Sequence, residues 1–308
     1  MKTLMTVQGA IDARTLGHFQ MHEHIFVRAT PASERNPALR IDDEAKSLAE
    51  LRAYRAAGGG AILDAQPGGA GRDAAALKRL SRDSGVHIVA VTGYHLPGFY
   101  DPTHWIFSDG VETLRERFLS DLQGDGAEGG VCAGAVKAAI AENGPEGRFE
   151  TCLRAAAGAA ARAEAPLILH TERGIGAVDA VHICEAEGLA PERIAVCHAD
   201  RQAEDWTPHE GIARTGAFLE YDTIARYKYH DDESEIRLIL HMLELGYADK
   251  LLLSMDTTAA RLISYTPEAP GLDFILRKFL PALRREGVPE ATLENITQRN
   301  PLRAFGIL

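Results

Sequence analysis

The chain has 308 residues, 45% hydrophobic and 25% charged, with 33 Lys and Arg against 44 Asp and Glu for a formal net charge of −11. That length suits one α/β barrel with a continuous core, so we expect a single domain over 1–308. The acidity argues against nucleic acid or an anionic membrane surface as partner, since both require clustered Lys and Arg, and no apolar run is long enough to cross a bilayer. Residues 1–9 lack a sustained apolar region and a small-residue cleavage site, which leads us to expect a cytoplasmic protein. Cys132, Cys152, Cys184 and Cys197 form no C-x-x-C pair and read as small buried thiols.

Eight short apolar runs rich in β-branched residues follow one another, at 18–27, 60–67, 87–95, 132–140, 166–171, 193–200, 217–223 and 250–257. Between them lie alanine- and charge-rich stretches with apolar residues three and four apart, which predict helices over 43–57, 74–84, 110–122, 149–163, 177–187 and 233–245. Strands that each feed a helix argue for a parallel sheet. No Gly-x-Gly-x-x-Gly follows the first run, so the expected closure is a (β/α)8 TIM barrel rather than an open dinucleotide-binding sheet. Gly58, Gly59 and Gly60 precede a strand and read as a helix stop. The glycine-rich stretch 67–73 is either an anion cradle or, as turn chemistry favours, a tight turn capped by Asp73.

Titratable residues fall at the C-terminal ends of these runs, where barrel enzymes build their active sites. His22 and His24 flank Glu23 on the first strand, and strand alternation points both imidazoles to one face. The fifth and sixth runs end in His170 and His198, and the eighth ends in Asp256. Any one alone reads more simply as a satisfied polar strand end. Four imidazoles and a carboxylate at one barrel mouth are costly unless something satisfies them, and divalent metals do so directly. Lys137 sits in a small, apolar strand where desolvation lowers an ammonium's pKa and frees the amine to capture carbon dioxide as a carbamate; the alternative is a lysine snorkelling to the barrel end.

From the Met21-His22-Glu23-His24 opening to the Asn300-Pro301 region, the order and strand assignment of these motifs resemble the phosphotriesterase-like branch of the amidohydrolase superfamily. The resemblance implies a binuclear centre. His22, His24 and Asp256 would hold the more buried metal, His170 and His198 the more exposed one, and carboxylated Lys137 would bridge them. Zinc is the first expectation, while manganese, cobalt and iron suit the same ligands. The resemblance further implies attack by a metal-activated hydroxide, with Asp256 as catalytic acid and base, and a homodimer.

For substrate contacts, the resemblance to lactone-hydrolysing relatives puts Tyr94 near the metals, against the alternative of a tyrosine closing the barrel top. Lys228, in the basic and aromatic stretch 224–230, and Arg261 with Tyr265 follow the seventh and eighth strands, where barrels often bind phosphate. The competing reading pairs that stretch with Asp231, Asp232 and Glu233 on the surface. Arg201 is a weaker rim candidate. The resulting expectation is a lactonase acting on an anionic, phosphorylated sugar lactone. An organophosphate triester hydrolase, an acyl-homoserine lactonase and a metal-binding scaffold without turnover are the alternatives, and metal content together with a lactone panel separates them.

Overall fold

The computed structural model describes residues 3–13, 16–125 and 128–305. Each apolar run matches one strand of a single parallel sheet, with only β4 starting one residue before its run: β3 (His18–Glu23), β4 (Gly59–Asp64), β5 (His87–Gly93), β6 (Ala135–Ala139), β7 (Leu167–His170), β8 (Ile194–Cys197), β9 (Phe218–Tyr221) and β10 (Leu251–Leu253). Strands neighbour one another in chain order. The first and last meet at a seam where Ser254 Oγ accepts from the amides of Met21 (2.7 Å) and His22 (2.9 Å), and the Asp256 amide donates to the His22 carbonyl (3.1 Å). The protein is a (β/α)8 TIM barrel.

The expected helices correspond to α2 (Glu44–Ala56), α3 (Ala74–Ser84), α4 (Val111–Gln123), α5 (Arg148–Arg162), α6 (Ala177–Ala186) and α8 (Asp232–Glu244). Sequence periodicity missed α1 (Pro31–Arg35), which is too short to show a period, α7 (Thr207–Thr215), which buries only His209, Ile212 and Ala213, and the short helices of the C-terminal stretch. Short helices α9 (Leu280–Arg285), α10 (Glu290–Glu294) and α11 (Asn300–Phe305) finish the described chain. Asp73 caps α3 by accepting from the Ala76 amide (2.9 Å), so the stretch before it is the capped turn rather than an anion cradle.

An antiparallel hairpin, β1 (Thr3–Thr6) with β2 (Gly9–Asp12), precedes the barrel and went unread in the sequence, because four-residue strands carry little alternation. It packs at the end opposite the candidate site: the Val7 amide donates to Ile88 O, and Leu4 joins Phe19, Leu63, Val89, Ile168, Leu252 and Phe305 in the cluster filling the barrel. The larger apolar layers lie between strands and helices. Gly60, second in β4, stands where no other residue fits, since a Cβ there would sit 1.3 Å from the Leu16 carbonyl oxygen. All four cysteines are free thiols, three of them buried. No helix among the described residues is long and apolar enough to cross a membrane.

Candidate metal centre

Strand alternation sends His22 and His24 into the barrel mouth and Glu23 into the seam. Glu23 accepts from the amides of Met255 (2.8 Å) and Thr257 (3.1 Å) and from Gln20 Nε2 (2.7 Å). Thr257 Oγ1 in turn exchanges hydrogen bonds with the backbone of His24 (3.0 and 2.9 Å). The middle residue of the His-x-His motif therefore locks the first strand to the segment bearing Asp256, and burial pushes its carboxyl up to about 7.

Lys137 is fully buried on β6, its Nζ 3.2 Å from His22 Nε2, and desolvation lowers its pKa. Gly93 makes room beside it. A Cβ on Gly93, at φ 101°, would lie 2.0 Å from the Lys137 carbonyl oxygen, which instead accepts from the Tyr94 amide (2.9 Å). His170 ends β7 and His198 follows β8, with His170 Nδ1 2.8 Å from His198 Nε2. The remaining nitrogen of His170 meets Glu172 Oε1 at 3.1 Å.

Asp222, just past β9, is buried between two of these imidazoles. Its Oδ1 lies 2.6 Å from His198 Nδ1 and its Oδ2 lies 3.1 Å from His22 Nδ1. It thus addresses the nitrogens facing away from the cavity and fixes which nitrogen remains free to bind a metal. Asp256 Oδ1 faces His24 Nε2 (3.4 Å) and His22 Nε2 (3.7 Å), while Oδ2 contacts the guanidinium groups of Arg226 and Arg201. Burial alone would raise the Asp256 pKa; Arg226 and the neighbouring histidines hold it well below the usual carboxylate range. His198 (φ 66°) and Asp256 (φ 47°) both occupy the left-handed region, a strain of roughly 1–3 kcal/mol each that clusters at functional sites.

These side chains line one cavity of about 220 Å³ together with Gln66, His95, Glu172, Thr257 and Thr258. All six residues expected to hold metal reach it: His22, His24, Lys137, His170, His198 and Asp256. Its cationic wall is Arg201, Arg226 and Lys228, with Tyr229 packed under all three, its ring centroid 5.3, 5.6 and 4.5 Å from their charged groups. Arg201 also binds Glu172 Oε2 (2.8 Å).

Three expected substrate contacts are corrected. The Tyr94 hydroxyl donates to the Ala139 carbonyl (2.7 Å) in the layer outside the strands, so it does not face the metal ligands. The Arg261 guanidinium is buried against the carbonyls of Ile224 (2.5 Å) and Ala225 (3.2 Å), bracing the loop after β9 from behind. Burial lowers its pKa to about 10. Tyr265 bonds Ser47 Oγ (2.9 Å) and the Asp43 carbonyl (2.9 Å) at the start of α2. None of the three lines the cavity. Asp222 and His95, which the structure adds, end their apolar runs just as His170 does, so the strand-end rule applied evenly would have found them.

The donors fit a pair of divalent cations. His170 Nδ1 and His198 Nε2 face each other, as do His22, His24 and Asp256, and such convergence of nitrogen and carboxylate lone pairs is satisfied by a shared cation. The barrel and this ligand set define a metal-dependent hydrolase. More particularly, the chain belongs to the phosphotriesterase family, whose profile matches residues 2–305. It is 30% identical over 324 aligned positions to a phosphotriesterase homology protein of Mycobacterium tuberculosis, covering 99% of this chain and 98% of that one. It is 29% identical over 298 positions to an N-acetyltaurine hydrolase of Tetraodon nigroviridis, covering 92% and 83%. A lactonase from Listeria monocytogenes superposes with a TM-score of 0.92 at 28% identity, covering 98% of each chain.

Proposed function

We propose that the protein is a lactonase that opens an anionic sugar lactone, preferentially a phosphorylated one, with zinc as the first choice of metal. The observation that carries this reading is the cationic wall of Arg201, Arg226 and Lys228 beside the metal ligands of an acidic protein. The nearby carboxylates do not neutralise Lys228. Asp231 caps α8 at the Ser234 amide (2.8 Å), and Asp232 accepts from the Ala225 amide (3.0 Å) and the Tyr227 hydroxyl (3.2 Å). A neutral phosphate triester has no use for such a wall.

His22, His24 and Asp256 would hold one cation and His170 and His198 the other, and Lys137, as its carbamate, would be a ligand shared by the pair. Two such cations, when bound, would supply Lewis acidity and bring the pKa of water near neutrality. Lys137 suits carbamate formation because burial favours the neutral amine, the form that attacks carbon dioxide. Arg226 and Lys228 grip the substrate's anion and set the ester carbonyl over His170 and His198. Asp256 takes the proton of the attacking water and returns it to the leaving alkoxide, so the C–O ester bond breaks and a hydroxy acid forms. The similarity to a lactonase supports the ester, and the similarity to an N-acetyltaurine hydrolase supports an acyl substrate with an anionic group.

The test is hydrolysis of matched sugar lactones with and without a terminal phosphate, by wild type and Lys228→Ala. Loss of one charge-assisted contact of about 1.5–3 kcal/mol lowers kcat/KM roughly ten- to a hundredfold on the phosphorylated substrate alone. Equal losses on both substrates, or preferred turnover of neutral triesters, overturn the assignment.

A further inference from the structure

Beyond the six metal ligands, a second group of potential ligands lies behind the cationic wall. Asp200, in the segment after β8, His230, at the end of the loop after β9, and Glu235, in the first turn of α8, bring ligand atoms within 4.8 Å of one another. Asp200 and Glu235 are fully buried. Asp200 Oδ2 is occupied, accepting from the Thr223 amide (2.6 Å) and Oγ1 (2.8 Å), and this aims the unpartnered Oδ1 at the cluster. Neither carboxylate oxygen of Glu235 meets a hydrogen-bond donor among the described residues. At ion-pair distance stands His230 Nε2, 3.1 Å from Glu235 Oε2 and 3.2 Å from Thr223 Oγ1.

A buried carboxylate without donors costs several kcal/mol unless it takes up a proton or binds a cation. Here Glu235 and the unpartnered Oδ1 of Asp200 face one imidazole, with Asp222 adding a further negative charge nearby. One nitrogen and two carboxylates at this spacing make a donor set for a first-row divalent cation rather than for calcium, which takes six to eight oxygens.

We propose that Asp200, His230 and Glu235 form a third, non-catalytic divalent-cation site. It ties the His198 segment and α8 to the loop that carries Arg226 and Lys228. The cation clamps both ends of that loop, since Thr223 is fixed to Asp200 at its start and His230 lies at its end. The site stands independently of the substrate assignment, because its ligands lie outside the catalytic cavity.

The test is anomalous diffraction from crystals grown with Zn²⁺ as the only added metal, together with metal analysis of the protein in solution. The expected result is a peak about 2.0–2.2 Å from His230 Nε2 and from oxygens of Asp200 and Glu235, in addition to the catalytic pair. Metal content falls from three equivalents to two in Glu235→Gln, with both catalytic peaks retained. No density there in wild-type crystals whose catalytic peaks are fully occupied overturns the proposal, and means that a protonated His230 and a shared proton neutralise the pair. Three equivalents retained by Glu235→Gln also overturn it. The wild-type diffraction decides the matter even if the variant does not fold, and absence of the catalytic peaks would instead count against the binuclear centre.

Discussion

Asp222 Oδ1 lies 2.6 Å from His198 Nδ1, the nitrogen on the far side of the ring from His170. A carboxylate in that position keeps a proton on Nδ1 and leaves Nε2 as a free donor pointing into the cavity, and the same carboxylate reaches His22 with its other oxygen. Asp222→Asn therefore lowers metal affinity about 10–100-fold while the fold stays intact. Competition against a graded series of chelators measures this, with circular dichroism as the control. Unchanged affinity would mean that Asp222 does not orient the ligands.

Arg261 and Lys228 now separate cleanly. Arg261→Ala removes the support of two loop carbonyls and costs about 2–3 kcal/mol of stability, measured as a lower urea midpoint at constant slope. At temperatures where the variant is folded, its preference for a phosphorylated over a neutral lactone stays close to that of wild type. A collapse of that preference with no loss of stability would return Arg261 to the substrate site.

Tyr94→Phe loses one buried hydrogen bond, to Ala139, and costs about 1 kcal/mol. Its KM and kcat for lactones remain within about twofold of wild type, because the hydroxyl faces the layer outside the strands. A large fall in kcat would show that the hydroxyl reaches the substrate in solution.

His18 gives the chain a defined weakness in acid. Its imidazole is fully buried with Nδ1 2.9 Å from the Tyr54 hydroxyl, and burial depresses its pKa from 6.5 to about 3. Between those values the unfolded chain binds a proton that the folded chain refuses. The stability His18 contributes is complete above pH 6.5 and is lost as the pH falls toward 3, by at most about 1.4 kcal/mol per unit. Urea midpoints of wild type and His18→Gln across pH 7.5 to 4.5 test it: the variant has the shallower decline. Parallel declines would mean that other groups carry the acid sensitivity.

Removal of the metals by dialysis against a strong chelator abolishes hydrolysis and lowers Tm, since ligands that bind only the folded state stabilise it by mass action. Return of zinc restores both. Recovery of Tm without any ester or amide hydrolysis would favour a binding protein.

The sequence by itself determined the barrel and the residues expected at its metal centre. Short apolar runs alternating with period-three-to-four helices are local signals, and a histidine or aspartate at the C-terminal end of a run falls at the barrel mouth because the strands are parallel. His22, His24, His170, His198 and Asp256 were therefore readable one strand at a time. The loop after β9 was also identified as the charged one, but not which of its side chains face inward.

Those facing decisions belonged to the tertiary structure. Arg261 and Arg226 are both cationic residues in loops beyond the strand ends, and only the packing of the two loops against each other turns one toward backbone carbonyls and the other toward Asp256. Tyr265 was captured by Ser47 and Asp43, more than two hundred residues away in the chain. Glu23 and Asp222 acquire their roles through partners on other strands, and no window of sequence contains both members of such a pair. Strand periodicity can be read locally because it is a property of consecutive residues, whereas the direction of a loop side chain is set by whichever distant donor or acceptor the closed barrel brings within hydrogen-bond reach.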